Sequence, residues 1–219
     1  MNAATVSVQE GFKMYTLHWE TMAGSIVAQA MLEEAGASYV LNHVDMAGDA
    51  HKRTDYLRIN PIGRVPALTL PSKETIGETA AIVIALGEQF PDASLTPQPG
   101  DADRGTFLFW LSVMATAGYM TVARHGHPER YAFSEKAISE VEQQAACDLD
   151  TFFDKMEAAI MGNDTFLASG FSALDIYLAM LTEWSADREK LFATRPALKG
   201  VCNLVADRSA YRVAMQTHR

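Results

Sequence analysis

Apolar and β-forming residues cluster at Lys13–Trp19, which predicts a strand. From Ser25 to Ala35 the spacing changes. Ile26, Ala30 and the pair Met31 and Leu32 recur at helical intervals, Glu33 and Glu34 mark a wet side, and Gly36 supplies a stop. Tyr39–Val44 reads as a second strand. A strand, a helix and a strand form a βαβ unit, whose two strands run parallel. His51–Ile59 predicts a short helix ended by Asn60-Pro61. Val65–Leu70 and Glu74–Ile76, separated by Pro71-Ser72-Lys73, have the spacing of a hairpin. Glu78–Phe90 is a strongly apolar helix.

Pro91–Gly100 holds three prolines and a glycine and marks a domain boundary. Beyond it the pattern is helical, with runs at 103–124, 134–161, 172–185 and 196–207 punctuated by Gly162-Asn163-Asp164 and Gly170. No repeat of solenoid period interrupts it. The expected organisation is a lead at 1–12, a βαβαββα domain at 13–90, a linker at 91–102 and an all-helical bundle at 103–219, an α+β chain.

The 219 residues are 48% hydrophobic and 21% charged, which suits a folded globular protein with a substantial core. The net charge of −9 argues against nucleic-acid and anionic-membrane partners, both of which attract basic surfaces. It leaves room for a small anionic ligand in a local positive field. Cys147 and Cys202 are too far apart in sequence to form a CxxC pair, so neither a disulfide framework nor a thiolate-rich metal site is expected. Met1–Phe12 is polar and lacks the pattern of a signal peptide. No run approaches the ~20 apolar residues of a membrane span. A cytoplasmic protein is the expectation.

Three segments carry a family resemblance. Asn60-Pro-Ile-Gly-Arg-Val-Pro-Ala-Leu68 closely resembles the NPxGxVPxL segment of soluble glutathione transferases. Glu78-Thr-Ala-Ala-Ile82 resembles their ES/ETxAI segment at the start of the third helix. Ser172-Ala-Leu-Asp175, followed by Ile176-Tyr-Leu-Ala, resembles the capping box and buried helix of their C-terminal domain. The LEEAG run at 32–36 and the order of elements agree, so the resemblance covers about residues 13–210. It implies a thioredoxin-like N-terminal domain, glutathione as co-substrate, no metal, an apolar electrophile bound between the domains, and a homodimer. A module of the same fold that binds a ligand without catalysis is the alternative.

Val65-Pro66 admits two readings. A cis bond would turn the Val65 N–H and C=O outward, where an extended peptide can pair as an added strand. In the family the corresponding residue holds the cysteinyl part of glutathione in this way. A trans proline opening a strand is the plainer reading. Glu78-Thr79 opens a helix, where free N–H groups and the dipole attract a carboxylate. Glu78 can accept from the ammonium of a γ-glutamyl group and Thr79 can donate to its carboxylate; simple helix capping is the alternative. Ser172 and Asp175 read as a structural capping box rather than a catalytic pair.

A thiol of pKa near 8.5 attacks only as thiolate, so a donor is needed beside it. The turn Trp19-Glu-Thr-Met-Ala-Gly-Ser25 is the place for it. Classes of the family that use tyrosine place it at the end of the first strand, where this chain has His18 or Trp19. Classes that use cysteine place it at the first helix, where this chain has Gly24 and Ser25. Ser25 is the expected donor, then Thr21, then His18; an ordinary N-cap is the other reading of Ser25. Trp110, Met114, Tyr119 and Met120 are candidates for the electrophile pocket, although such residues also build cores. His125-Gly-His127-Pro lacks the carboxylates expected of a metal site.

Overall fold

The structure is a computed structural model and describes residues 14–219. The expected lead at 1–12, and Lys13, lie outside the described residues. Strand β1 (Tyr15–Trp19), helix α1 (Ser25–Glu34) and strand β2 (Tyr39–His43) form the βαβ unit, with β1 and β2 parallel. A 3-10 turn (Ala50–Lys52) and α2 (Thr54–Ile59) lead to β3 (Ala67–Thr69) and β4 (Thr75–Gly77), an antiparallel hairpin. Helix α3 (Thr79–Gln89) closes this thioredoxin-like domain, whose sheet order is β2-β1-β3-β4.

Strand β3 is shorter than the run Val65–Leu70 that predicts it, because Val65 and Pro66 border a cavity instead of joining the ladder, and β4 is shifted by one residue from Glu74–Ile76. Helix α1 also departs from its pattern. Every residue from Ser25 to Leu32 is buried, so the helix has no wet face over that span. It packs on β1 and α3 on one side and on the later helices Ala173–Glu183 and Ser209–His218 on the other. Its Gln29 Nε2 donates to the Tyr39 hydroxyl (3.1 Å) and Thr217 Oγ1 (2.9 Å), while the buried Oε1 has no partner among the described residues. A helix wrapped on both sides has little use for an amphipathic stripe.

After a 3-10 turn (Pro91–Ala93), the chain is helical apart from an isolated bridge between Leu167 and Gly170. The elements are α4 (Arg104–Val113), a π turn (Met114–Tyr119), α5 (Met120–Gly126), α6 (Glu135–Ala159), α7 (Ala173–Glu183), α8 (Arg188–Ala193), α9 (Pro196–Asp207) and α10 (Ser209–His218). The run predicted at 103–124 is thus two helices joined by a π turn. Helices α8 and α10 were not foreseen. Each is short, and α10 buries Ala210, Tyr211, Ala214 and Met215 while Val213 is exposed.

The expectation that no stretch is long and apolar enough to span a membrane is corrected by the continuous helical run Arg104–Gly126. It has 23 residues and a mean hydropathy of 1.4 in its most apolar window. Here the run contributes Phe107, Leu111 and Met114 to the core and packs against α6 and α7. Helix α7 is buried from Ala173 to Thr182 and is the hub of the helical domain. Ser172 and Asp175 form the expected capping box at its start.

Candidate functional site

The segment between α2 and β3 is fixed from below. Asn60 is buried; its Nδ2 donates to the Arg64 carbonyl at 2.8 Å and its Oδ1 accepts the Ile62 N–H at 3.1 Å. The Tyr56 hydroxyl donates to the same Arg64 carbonyl at 2.7 Å. Gly63 has φ +63°, and a β-carbon there would press on the His51 carbonyl at 3.0 Å. These residues hold Val65-Pro66, a cis pair, at the rim of a cavity of about 1420 Å³.

Glu78 and Thr79 line the same cavity. Glu78 stands at φ +62°, ψ 117°, a region that non-glycine residues rarely enter, and its side chain makes no capping bond. Such backbone costs on the order of 1–3 kcal/mol and tends to be kept where a site needs it. Thr79 is the first residue of α3 and is buried beside the Tyr177 hydroxyl. The capping reading of Glu78 therefore fails on geometry: the carboxylate is exposed at the cavity wall rather than turned onto the helix.

The loop from β1 to α1 forms the next wall through Glu20, Thr21, Met22 and Ala23. Glu20 accepts N–H groups from Thr21 (2.7 Å) and Met46 (2.8 Å) and bonds His43 Nε2 (2.9 Å). Burial pushes its pKa up, but these donors outweigh burial and hold it below the ordinary carboxylate value. Trp184 donates its indole N–H to the Met22 carbonyl at 3.1 Å, tying the loop to the helical domain. His51, Lys52 and Arg64 place cationic or hydrogen-bonding groups on the wall. Arg64 has no ion-pair partner among the described residues, and His51 Nδ1 is buried without one.

The structure separates the expected site residues. Val65, Pro66, Glu78, Thr79, Thr21, Tyr119 and Met120 share the cavity. Ser25 does not line it; the residue is fully buried and its hydroxyl donates to the Glu20 carbonyl at 3.3 Å. His18 lies on the opposite side of the sheet against Tyr56, engaged by Thr69 Oγ1 (3.0 Å) and Asn42 Nδ2 (2.8 Å). Burial lowers its pKa. Trp110 and Met114 are also absent from the walls. Trp110 packs edge-on to Phe166, with ring centres 5.5 Å apart, and Met114 is core.

Away from the sheet the cavity continues along Met120, Val122, Ala123, Leu149, Phe153 and Leu181, an apolar stretch between the domains. His125 and His127 line its outer part. No group of three or more candidate metal ligands occurs among the described residues. Glu20, Arg64, Tyr177 and Trp184 went unnoticed in the sequence. Arg64 lies inside the Asn60–Leu68 segment, but nothing in the sequence couples Trp184 to Met22.

Residues 26–89 match the family described as glutathione S-transferase, N-terminal domain. The chain is 26% identical over 194 residues to the glutathione S-transferase GstA of Escherichia coli O157:H7, covering 87% of this chain and 89% of that protein. It superposes on the structure of a sphingomonad glutathione S-transferase complexed with glutathione, with a TM-score of 0.79 and 28% identity over 93% of this chain and 98% of the other. A glutathione transferase homologue from Sulfitobacter, solved with bound glutathione, shares the fold with a TM-score of 0.84 at 24% identity, covering 93% of this chain and 98% of that one. Topology, the walls of the cavity and these likenesses agree: residues 26–89 match the glutathione S-transferase N-terminal domain, and the chain is similar to glutathione S-transferases over most of its length.

Proposed function

We propose that this protein is a glutathione transferase that presents the glutathione thiolate to an apolar electrophile. The observation that carries this reading is Glu78. It is held in strained backbone, uncapped and facing a cavity that Thr79 and Val65-Pro66 also border. The γ-glutamyl ammonium meets Glu78, and its carboxylate meets Thr79 and the start of α3. The Val65 backbone pairs with the cysteinyl residue. His51, Lys52 and Arg64 face the glycyl carboxylate; the unpartnered His51 Nδ1 and Arg64 suit an anion there. The apolar stretch between the domains takes the electrophile. Its carbon bonds to sulfur as the leaving group departs with its electron pair, or an unsaturated carbon is attacked by addition.

The likeness to GstA and to the sphingomonad enzyme supports catalysis over ligand binding alone. A cytoplasmic homodimer is part of the proposal, and sedimentation of the 24.0 kDa chain at about twice its mass checks the dimer. Titration calorimetry with glutathione, followed by conjugation assays on a panel of electrophiles, tests the function. Binding with no turnover of any electrophile would favour the non-catalytic module.

A further inference from the structure

We propose that the Tyr119 hydroxyl, supplied by the helical domain, donates the hydrogen bond that stabilises the glutathione thiolate. The proposal rests on the glutathione-transferase reading above. Tyr119 is the last residue of the π turn Met114–Tyr119, an irregularity frequent at functional sites. The preceding Gly118 lets that turn sink inward: a β-carbon there would lie 2.6 Å from Phe152 Cζ and 3.0 Å from Leu181 Cδ1. The Tyr119 ring thereby reaches back across the cavity to the start of α1. Its hydroxyl accepts the Gly24 N–H at 3.2 Å. Trp184 meets the ring edge-on at 5.4 Å and fixes its plane.

Two other groups, from Pro66 and Thr79, converge on the same spot. A β-carbon built on Gly24 would lie 3.3 Å from Tyr119 Cε2, 3.2 Å from Pro66 Cδ and 2.5 Å from Thr79 Oγ1. The hydroxyl therefore stands beside the glutathione-facing residues Pro66 and Thr79. Because it already accepts one N–H, it is polarised toward donating its own proton. That proton has no acceptor among the described residues. Burial raises the phenol pKa, so the group stays protonated at neutral pH and able to donate. Ser25 donates instead to the Glu20 carbonyl, and Thr21 is exposed to water. In the reaction the thiol gives its proton to solvent, Tyr119 keeps its own, and the thiolate attacks carbon.

The test is the ultraviolet thiolate absorbance of bound glutathione against pH, with calorimetry on the same samples. Tyr119→Phe should raise the titration midpoint and lower turnover at neutral pH about tenfold to a hundredfold, as loss of one charge-assisted bond implies. Turnover should recover at alkaline pH, and glutathione affinity should stay within about threefold. Ser25→Ala should leave the midpoint in place. If Tyr119→Phe does not fold, a fluorinated tyrosine at 119, a stronger donor of nearly the same shape, should lower the midpoint. An unmoved midpoint in the folded variant overturns the proposal, as does a shift produced by Thr21→Val alone. Absence of glutathione binding by the wild-type protein overturns both this proposal and the reading beneath it.

Discussion

Gly24 and Thr79 approach so closely that a β-carbon on Gly24 would lie 2.5 Å from Thr79 Oγ1. Gly24 has φ −59°, so the backbone itself would accept another residue; the obstacle is space. Gly24→Ala should displace Thr79, Pro66 or Tyr119, at an overpacking cost of about 1–3 kcal/mol. Glutathione affinity should fall about tenfold, read by calorimetry. Gly24→Cys should suffer the same loss and gain no mixed-disulfide chemistry, checked by mass spectrometry after exposure to oxidised glutathione. Wild-type affinity in Gly24→Ala would show that this corner is looser than its geometry.

Glu78 gives a prediction with two opposite signs. Its φ of +62° is strained for glutamate and comfortable for glycine. Glu78→Gly should raise thermal stability slightly, by up to about 1 kcal/mol, because relief of strain exceeds the added freedom of the unfolded chain. The same change should weaken glutathione binding at least tenfold, since a charge-assisted bond is worth roughly 1.5–3 kcal/mol. Melting curves and calorimetry on one preparation check both signs. A residue kept only for the fold would lose stability and leave affinity alone.

The local chemistry of the sheet domain was legible in the sequence, and the contacts between distant elements were not. Asn60, Gly63 and Pro66 announce their loop because each has a backbone requirement that few other residues meet. Glu78 and Thr79 announce a helix start by their pattern alone, since the φ of +62° at Glu78 is one that glutamate meets poorly. Ser25 shows the limit. Its place beside the first helix is readable, but the direction of its hydroxyl depends on how the loop from Trp19 to Gly24 closes onto the Glu20 carbonyl. Tyr119 shows the converse. In the sequence it is one more aromatic residue on a helix. Its reach to Gly24 depends on the π turn and on the depth that Gly118 allows. Trp110 and Met114 look equally suited to a pocket, but helix phase turns them to the core.

The start of α7 separates two contributions to stability. Ser172 caps the helix, and Asp175 accepts both the Ser172 N–H (2.7 Å) and the Phe166 N–H (2.6 Å). Ser172→Ala should cost about 1 kcal/mol, the usual value of a cap. Asp175→Ala should cost more, roughly 2–4 kcal/mol, because it strands two buried N–H donors, one of them outside the helix. Urea unfolding of the two variants orders them. Equal losses would mean that the Phe166 bond contributes nothing.

His218 sets an acid limit on the fold. The ring is wholly buried, packs edge-on to Trp19 at 5.1 Å, and neither nitrogen has a hydrogen-bond partner among the described residues. Burial pushes its pKa down to about 4, although nearby Glu20 pulls the other way. In the unfolded chain an ordinary histidine titrates near 6.5. Between those values the unfolded state binds more protons than the folded one, so stability rises with pH across the window. The contribution is complete above about pH 6.5 and is lost as pH falls toward about 4, amounting to about 3 kcal/mol. Helix α10 carries His218 against α1, and Glu20 beside it holds the loop that bears Thr21 and Met22. Acid should therefore loosen the cavity wall as it loosens the C-terminal helix. His218→Phe keeps the ring and removes the titration, so its stability should fall less steeply than wild type between pH 6.5 and 4. Parallel melting curves for the two proteins across that window would defeat the assignment.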